Sequence, residues 1–164
     1  MSYYILIRGA LGIGKSTISK KLAKILNAEY ISMDEVLEKN KLDIPSKKEG
    51  CIPAKNFIKA NDIILPIILK RLEEGKIVIF DGCFYHKEQI EHLKKNLPGK
   101  HYAFTLKAPL EACIERDSKR ENVYGEGAAT AVHNLVSRFD YGKVIDTHNK
   151  TVDQVVKKIL SYIS

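Results

Sequence analysis

The chain has 164 residues, of which 45% are hydrophobic, 29% are charged and 8% are aromatic. This composition leaves room for a hydrophobic core, and it excludes a disordered or a fibrous protein. The formal net charge of +7 attracts nucleic acids and small anions alike, so charge alone does not distinguish between these partners.

The first quarter of the chain predicts two strands, each followed by a helix. Residues 3–8 are almost entirely apolar, which is typical of a strand buried on both faces. A Gly-rich turn follows, and apolar residues then recur at helical spacing over residues 18–26. Residues 30–31 predict a second strand. Ser32 and Glu35 then form the pattern of a capping box, which indicates the start of another helix.

The middle of the chain continues the alternation after an irregular stretch. Residues 41–54 contain Pro45, Gly50 and Pro53 and are predicted to form a mobile connection. The rest of this part is predicted as helix 55–74, strand 76–81, helix 86–96 and strand 102–106.

The last third begins with Pro109, which suits the first residue of a helix. Residues 116–127 are polar and charged, and apolar residues then follow one helical face from Ala128 to Phe139. Residues 144–145 predict a short last strand. Thr151 and Gln154 form a second capping box before a helix that keeps its apolar spacing to residue 163. Alternation of this kind is typical of a parallel sheet covered by helices.

Residues 9–17 match the pattern G-x-x-x-x-G-K-[ST] of a phosphate-binding loop. Small residues let the backbone turn tightly and direct N–H groups at phosphate oxygens, and the next helix adds its positive N-terminus. A plain Gly-rich turn would also fit, but this loop stands between a buried strand and an amphipathic helix. Lys15 would neutralise the β- and γ-phosphates of ATP, and Ser16 would bind Mg²⁺. The residues predicted to surround the nucleotide phosphates are Gly9, Leu11, Gly12, Ile13, Gly14, Lys15, Ser16 and Thr17.

Two aspartates follow predicted strands and are candidates for the same site. Asp81 ends the strand 76–81, at the edge where parallel α/β sheets bind ligands, and could hold Mg²⁺ beside Ser16. Asp34 follows the second strand and could accept the proton of an attacking hydroxyl group. The structural alternatives are a turn cap for Asp81 and a favourable first-turn helix position for Asp34.

Arg116 and Arg120 are four residues apart and are predicted to share one helix face at the start of the polar segment. Their guanidinium groups could close over a triphosphate and stabilise charge in the transition state. The alternative is pairing on the surface with Glu115, Asp117 or Glu121.

Together these features resemble the small phosphate-loop kinases of the nucleoside-monophosphate-kinase type. That group includes gluconate, shikimate and adenylylsulfate kinases, chloramphenicol phosphotransferase and 5′-hydroxyl polynucleotide kinase. The resemblance covers the phosphate loop, the aspartates after strands two and three, and the arginines that open the polar segment. It implies a three-layer α/β fold, with a five-stranded parallel sheet, helices on both faces and a short lid at about residues 117–127.

Residues 115–120 are most similar to the lid of the polynucleotide kinases. By that resemblance Arg116 lies near the adenine, Arg120 reaches the phosphates, Asp34 is the general base and Thr147 lies in the loop that flanks the adenine. Polynucleotide kinases also surround this aspartate with arginines, where this chain has Met33, Glu35, Val36 and Leu37. Lys47, Lys48 or Lys55 would have to replace those arginines.

The leading hypothesis is an ATP- and Mg²⁺-dependent kinase whose acceptor is a hydroxyl group of a small molecule or of a nucleic acid. The acceptor would enter along residues 34–60. The alternative from another class is a nucleotide-binding switch or regulatory NTPase, which needs no base for an acceptor. A basic nucleic-acid-binding domain without catalysis would leave the phosphate loop unexplained.

The remaining expectations concern the setting of the protein. We expect one kinase domain over residues 1–164. The three cysteines are odd in number and widely spaced, which favours a reducing cytoplasm over a disulfide framework. The apolar runs are too short for a signal peptide or a membrane span. No obligate protein partner is evident.

Overall fold

Five parallel strands form one sheet in the computed structural model, which describes residues 1–163. The strands are β1 (Tyr3–Arg8), β2 (Glu29–Ser32), β3 (Val78–Gly82), β4 (Lys100–Lys107) and β5 (Lys143–Asp146). They lie in the order β2-β3-β1-β4-β5, and each neighbouring pair is parallel. The predicted fold class, a five-stranded parallel sheet with helices on both faces, is confirmed.

The helices are α1 (Lys15–Leu26), α2 (Met33–Lys39), α3 (Ala54–Glu73), α4 (Lys87–Asn96), α5 (Leu110–Ser118), α6 (Glu126–Val136) and α7 (Val152–Leu160). Of the two predicted capping boxes, Thr151 and Gln154 complete theirs, whereas at α2 only the bond from the Glu35 N–H to the Ser32 hydroxyl is present among the described residues. Pro109 is the N-cap of α5 rather than its first residue. Within residues 1–163, no helix has both the length and the apolar character required to cross a membrane.

Alternation along the central strands divides the core into two layers. Tyr4 and Leu6 of β1 pack on the side of α2, α3, α4 and α6, whereas Ile5 and Ile7 pack on the side of α1 and α7. Side chains of a strand point alternately to opposite faces, so a central strand that is covered on both sides must be apolar throughout. This is why β1 is an uninterrupted apolar run that ends at the phosphate loop.

The strand order brings the predicted site residues to one edge. The chain winds from β1 towards β2 on one side of the sheet and later towards β4 on the other, so the carboxyl ends of β1 and β3 flank the point where the winding reverses. The register pairs Ile7 with Asp81 and Ser32 with the same Asp81. The end of β1, Asp81 and the start of α2 therefore lie side by side.

Candidate active site

The phosphate loop joins β1 to α1 through two glycines with left-handed backbone conformations. Gly12 has a φ of 76° and Gly14 a φ of 94°, and side-chain-bearing residues rarely adopt such values. A Cβ on Gly12 would lie 2.1 Å from the carbonyl oxygen of Cys113, so α5 packs directly against the loop backbone. Gly14 is the N-cap of α1, and the helix N-terminus therefore opens into the loop.

The other predicted loop residues complete this turn. Gly9, Leu11 and Ile13 are buried, while Ser16 and Thr17 are exposed in the first turn of α1. A Cβ on Gly9 would approach Cγ2 of Ile13 to 2.9 Å, so close packing extends to the start of the loop. The N–H groups of the first helical turn have no partner within a helix, which leaves them available for phosphate oxygens.

Lys15 is held inside the loop, with only 6% of the residue exposed. Its Nζ donates a hydrogen bond to the carbonyl oxygen of Ala10 at 3.3 Å. Burial by itself lowers the pKa of this lysine, but the neighbouring Cys83, Asp34 and Asp81 raise the pKa above its ordinary value. The ammonium group is therefore charged and lies where the phosphates of a nucleotide would enter.

Asp81 is buried in β3 and bound by a tyrosine from the neighbouring strand. The Tyr30 hydroxyl donates to Oδ2 of Asp81 at 2.5 Å. Burial and this interaction with Asp81 raise the pKa of Tyr30, while hydrogen bonds with Ser16 and Ser32 lower it. Tyr30 thus holds the carboxylate of Asp81, a candidate magnesium ligand.

This donor set fits magnesium better than a metal held by protein ligands alone. Among residues 1–163, no group of three or more His, Cys, Asp or Glu side chains could hold a metal ion. Magnesium is usually held through one or two carboxylates together with phosphate oxygens and water. One buried carboxylate and one hydroxyl beside a phosphate loop match that pattern.

Asp34 lies in the first turn of α2, behind the Ser32 cap. Burial raises the pKa of Asp34; Lys15 and Arg120 lower it, and Asp81 raises it further. The net direction is upward, because desolvation outweighs the two nearby cations. A carboxylate with a raised pKa holds a proton more readily, as a general base must. Asp34 can also stabilise the helix N-terminus, and the two roles are compatible.

Arg116 and Arg120 contact different parts of the site. Nη1 of Arg116 donates to the carbonyl oxygen of Ile13 at 2.8 Å and so holds the phosphate loop. Helix α5 ends at Ser118, and Arg120 lies beyond it, with its guanidinium 5.0 Å from the ring centroid of Tyr124. The prediction that both arginines share one helix face is therefore wrong.

The physical reason is the turn that follows α5. Asp117 is buried, and its carboxylate accepts hydrogen bonds from the N–H groups of Tyr124 and Gly125, at 3.2 and 2.9 Å. These bonds close residues 118–125 into a compact loop, which ends the helix before Arg120. They also leave Asp117 engaged, so it is not a surface partner for Arg120.

Two cavities open on opposite sides of the loop. One, of about 270 Å³, is lined by Gly14, Thr17, Arg116 and Thr147 together with the start of α7. Thr147 is buried there, and both its N–H and its hydroxyl donate to the carbonyl oxygen of Lys107. The other cavity, of about 360 Å³, lies beside Asp34 between α2, α3 and α6. Phosphate loop and carboxylate therefore stand between two separate binding spaces.

Comparison with known proteins agrees with this geometry. A family model described as an AAA domain matches residues 5–140. The chain belongs to this family. A shikimate kinase from Francisella tularensis subsp. novicida is 28% identical over 171 residues, which cover 97% of this chain and 93% of the relative. A protein named as a candidate adenylate kinase from Thermococcus kodakarensis is 30% identical over 168 residues, which cover 97% and 84%.

The fold of this AAA domain chain is also found among solved kinases. The crystal structure of a sugar kinase from Janibacter sp. has a TM-score of 0.80 at 16% identity, over 99% of this chain and 95% of the other. At that identity the likeness concerns the fold alone. Taken with the sequence relatives, the chain is a kinase-like phosphate-loop NTPase related to shikimate kinases.

Sequence reasoning missed two side chains inside the site. The sequence predicts Tyr30 only as part of the second strand, yet its hydroxyl donates to Asp81. Cys83 is free and buried, lines the larger cavity and adjoins Lys15. Burial raises the pKa of its thiol to about 12, so the group is neutral at pH 7. Its position directly after the Asp81-Gly82 strand end was the one signal that could have found it.

A third missed residue, Arg8, fastens the AAA domain core at the end of β1. The residue is 1% exposed, and burial lowers its pKa to about 10. Its two Nη atoms donate to the carbonyl oxygens of Phe139 and Val136 at 3.0 and 3.1 Å. These carbonyls lie at and just after the end of α6, where a helix favours a cation. Arg8 therefore ties α6 to the strand that leads into the phosphate loop.

Helix α6 itself differs from its prediction. The apolar spacing predicts one helical face from Ala128 to Phe139, but α6 ends at Val136, and Ala128 and Ala131 of this face are exposed and line the larger cavity. Apolar spacing at a cavity wall is the same as at a core, so the sequence pattern could not separate the two.

Proposed function

We propose that the protein is an ATP- and Mg²⁺-dependent kinase that transfers the γ-phosphoryl group of ATP to a hydroxyl group of a small molecule. The observation that carries the proposal is the position of Asp34. Its carboxyl group adjoins Lys15 of the phosphate loop on one side and lines the larger cavity on the other. A base between the phosphates and an acceptor cavity has a purpose in group transfer and none in a nucleotide switch.

On the nucleotide side, residues 9–17 bind the phosphates and the smaller cavity takes the adenosine. Arg116 would lie against the adenine while holding the Ile13 carbonyl, and Thr147 would flank the base. Arg120 would reach the phosphates when residues 117–127 close as a lid, the feature by which this chain resembles polynucleotide kinases. Closure would exclude water, which otherwise competes for the phosphoryl group.

Ser16 and Asp81 would hold Mg²⁺, which when bound neutralises charge on the phosphate oxygens. The Tyr30 hydroxyl, which donates to Oδ2 of Asp81, would help to hold this carboxylate in place. Because Asp81 is buried, its carboxylate keeps one geometry, which favours a fixed metal position.

Transfer needs one bond to form and one to break. The acceptor oxygen bonds to the γ-phosphorus as the bond from that phosphorus to the bridging oxygen of ADP breaks, and the hydroxyl proton passes to the carboxylate of Asp34. Lys15 and Arg120 would balance the negative charge of the phosphoryl group in transit. The raised pKa of Asp34 suits a proton acceptor, because transfer to it is more favourable than to an ordinary aspartate.

The acceptor would enter along residues 34–60, which supply about half of the lining of the larger cavity. We propose a single kinase domain acting in the cytoplasm, with a small-molecule acceptor in preference to a nucleic-acid 5′-hydroxyl. The relationship to shikimate kinases supports the small molecule.

The test is transfer of label from γ-labelled ATP with Mg²⁺ to two acceptor pools, polar-alcohol metabolites and 5′-hydroxyl oligonucleotides. We expect label on a metabolite, and loss of about a hundredfold or more in rate with Asp34→Asn. Glu35→Gln, the adjacent exposed carboxylate on α2, is the matched control and should keep the rate.

Label on oligonucleotides would mean that the acceptor is a nucleic acid and not a small molecule. If neither pool is labelled, nucleotide still binds and Asp34→Asn changes nothing, the kinase proposal fails and a nucleotide switch takes its place.

A further inference from the structure

The cavity beside Asp34 has walls that are mainly apolar and aromatic. Phe57 and Tyr85 are buried in one wall, Leu11 and Leu135 in another, and Tyr124 covers it from the loop after α5. Pockets of this size and lining bury the apolar body of a ligand and fix it with a few polar groups. Three aromatic side chains favour a ligand with a flat or cyclic body.

The charged residues that line this cavity are all acidic. Asp34, Glu38 and Asp43 line it, and no lysine or arginine is among its described lining residues. The chain has 27 Lys and Arg against 20 Asp and Glu, so chance composition would favour basic groups at this surface. The imbalance is therefore a property of the cavity, opposite in sign to the net charge of the protein.

Within residues 1–163, no ion pair within 4.0 Å includes Asp34, Glu38 or Asp43. Two cations, Lys15 and Arg120, act on Asp34 at longer range, and neither lines the cavity. The guanidinium of Arg120 lies 5.0 Å from the ring centroid of Tyr124, a lining residue.

The basic residues that could have served an anionic acceptor are elsewhere. Lys47, Lys48 and Lys55 belong to the segment that forms much of the wall, but none of them lines the cavity. A carboxylate or phosphate on the acceptor would thus meet like charges and no cation among the described lining residues, which costs binding free energy in a partly desolvated site. A neutral or cationic acceptor meets no such penalty.

We propose that the acceptor is an uncharged or cationic alcohol with an apolar, cyclic body, and that carboxylated and phosphorylated acceptors are excluded. The inference deepens the proposed function and rests on the larger cavity being the acceptor site. It separates this chain from a shikimate kinase, whose acceptor bears a carboxylate, and from kinases whose acceptors are nucleotides.

The test compares three alcohols that share a phenyl ring and a benzylic hydroxyl group but differ in charge. Phenylethanolamine is cationic, styrene glycol is neutral and mandelate is anionic. Their dissociation constants are measured by calorimetry on the full-length protein with Mg²⁺ and ADP present. We expect the amine or the diol to bind about tenfold or more tightly than mandelate. Equal or tighter binding of mandelate, or no saturable binding of any of the three, overturns the inference.

A pair of variants on α2 links the preference to the cavity. Glu38→Arg should narrow the preference for phenylethanolamine over mandelate by about fivefold, because it replaces a lining carboxylate by a cation. Glu35→Arg makes the same charge change on the same helix, but Glu35 does not line the cavity, so the preference should stay. If Glu38→Arg and Glu35→Arg reduce the preference for phenylethanolamine over mandelate equally, the effect comes from the overall charge of the protein and the inference fails.

Label transfer separates this inference from the proposed function. Transfer of label from ATP to shikimate or to a nucleoside monophosphate would support the kinase activity. It would overturn the inference that carboxylated and phosphorylated acceptors are excluded. If the three alcohols bind in the expected order but label is transferred to no alcohol, the preference of the cavity for uncharged or cationic ligands is supported and the proposed kinase activity is overturned. Transfer to the amine or the diol supports both.

Discussion

The phosphate loop and the connection formed by residues 40–53 border the same site, yet they are held in different ways. The loop is buried and fixed by its own backbone, with α5 in direct contact with Gly12. The connection is mostly exposed and irregular. Ile52 joins it to the residues that follow β3. The Ile52 N–H donates to the Tyr85 hydroxyl at 3.2 Å, and the Ile52 carbonyl oxygen accepts from Nε2 of His86 at 2.7 Å.

Under the proposed function, the firmly held loop would bind ATP, and the connection with fewer contacts would help to select the acceptor. Donors that are preorganised for phosphate need no rearrangement when charge moves during transfer. A wall held by a few contacts can change in sequence without disturbing the sheet.

The largest effect is expected from Lys15→Ala. This substitution removes the buried positive charge of the phosphate loop, which also interacts with the negative charges of Asp34 and Asp81. Because no cation would then balance the phosphates at this position, kcat/KM for ATP should fall about a thousandfold. The measurement is steady-state turnover with any acceptor found by label transfer. Lys24→Ala, an exposed lysine of the same helix, should leave kcat/KM unchanged. A loss below about tenfold would mean that the loop lysine does not meet the phosphates.

The second effect tests the rigidity of the loop backbone. Gly12→Ala adds a Cβ in a left-handed conformation and against the Cys113 carbonyl, so it should lower the free energy of unfolding by more than about 2 kcal/mol and weaken ATP binding. Gly99→Ala is the control, because Gly99 also has a left-handed φ of 92° but no atom within 4 Å of the added Cβ. It should cost about 1 kcal/mol. Chemical denaturation measures the free energy of unfolding of both variants. Equal losses would show that the contact between α5 and Gly12 does not add to the cost of the Gly12 substitution.

The third effect concerns Asp34 and the dependence of stability on pH. Its pKa is raised in the folded protein, so the folded state holds this proton more tightly than the unfolded chain does. This contribution to stability is complete below the ordinary aspartate pKa and is lost as the pH rises through the raised value. Asp34→Asn should therefore raise the melting temperature at pH 7, and its advantage should shrink as the pH falls.

Thermal unfolding of the nucleotide-free protein over a pH series measures this difference. Protonated Asp34 cannot accept a proton, so the rate of phosphoryl transfer by the wild type should fall as the pH is lowered. Because the pKa of Asp34 is raised, this fall should begin at a higher pH than the one at which an ordinary aspartate is protonated. A variant less stable than the wild type at pH 7 would mean that pairing with Lys15 outweighs burial.

The smallest effect is expected on the adaptable side. Tyr85→Phe removes the hydroxyl that accepts from Ile52 N–H and loosens the 40–53 connection. The KM for the acceptor should rise about threefold, and the KM for ATP should not change. Tyr141→Phe, which loses an exposed bond to Glu91, is the control. If the KM for ATP rises in parallel, the two sides are not independent.

Local sequence patterns were sufficient to predict most helices and strands and the phosphate loop. The apolar β1 run, the glycine and lysine spacing of residues 9–17 and the aspartates after two strands are local patterns, and their structure follows from neighbours along the chain. Buried strands, glycine turns and helix starts each have a short-range physical cause. The parallel sheet covered by helices followed from the alternation of elements and is confirmed, whereas the strand order was not predicted and became visible only in the structure.

Only the tertiary structure decided which side chains meet. Tyr30 reaches Asp81 across 51 residues, and Arg8 reaches Val136 across 128. The turn closed by Asp117 sends Arg120 off the helix that carries Arg116. The absence of basic groups from the described lining of the cavity beside Asp34 also depends on how α2, α3 and α6 pack. Spacing along the chain carries no signal for such contacts, because each joins residues whose proximity arises from packing of the layers.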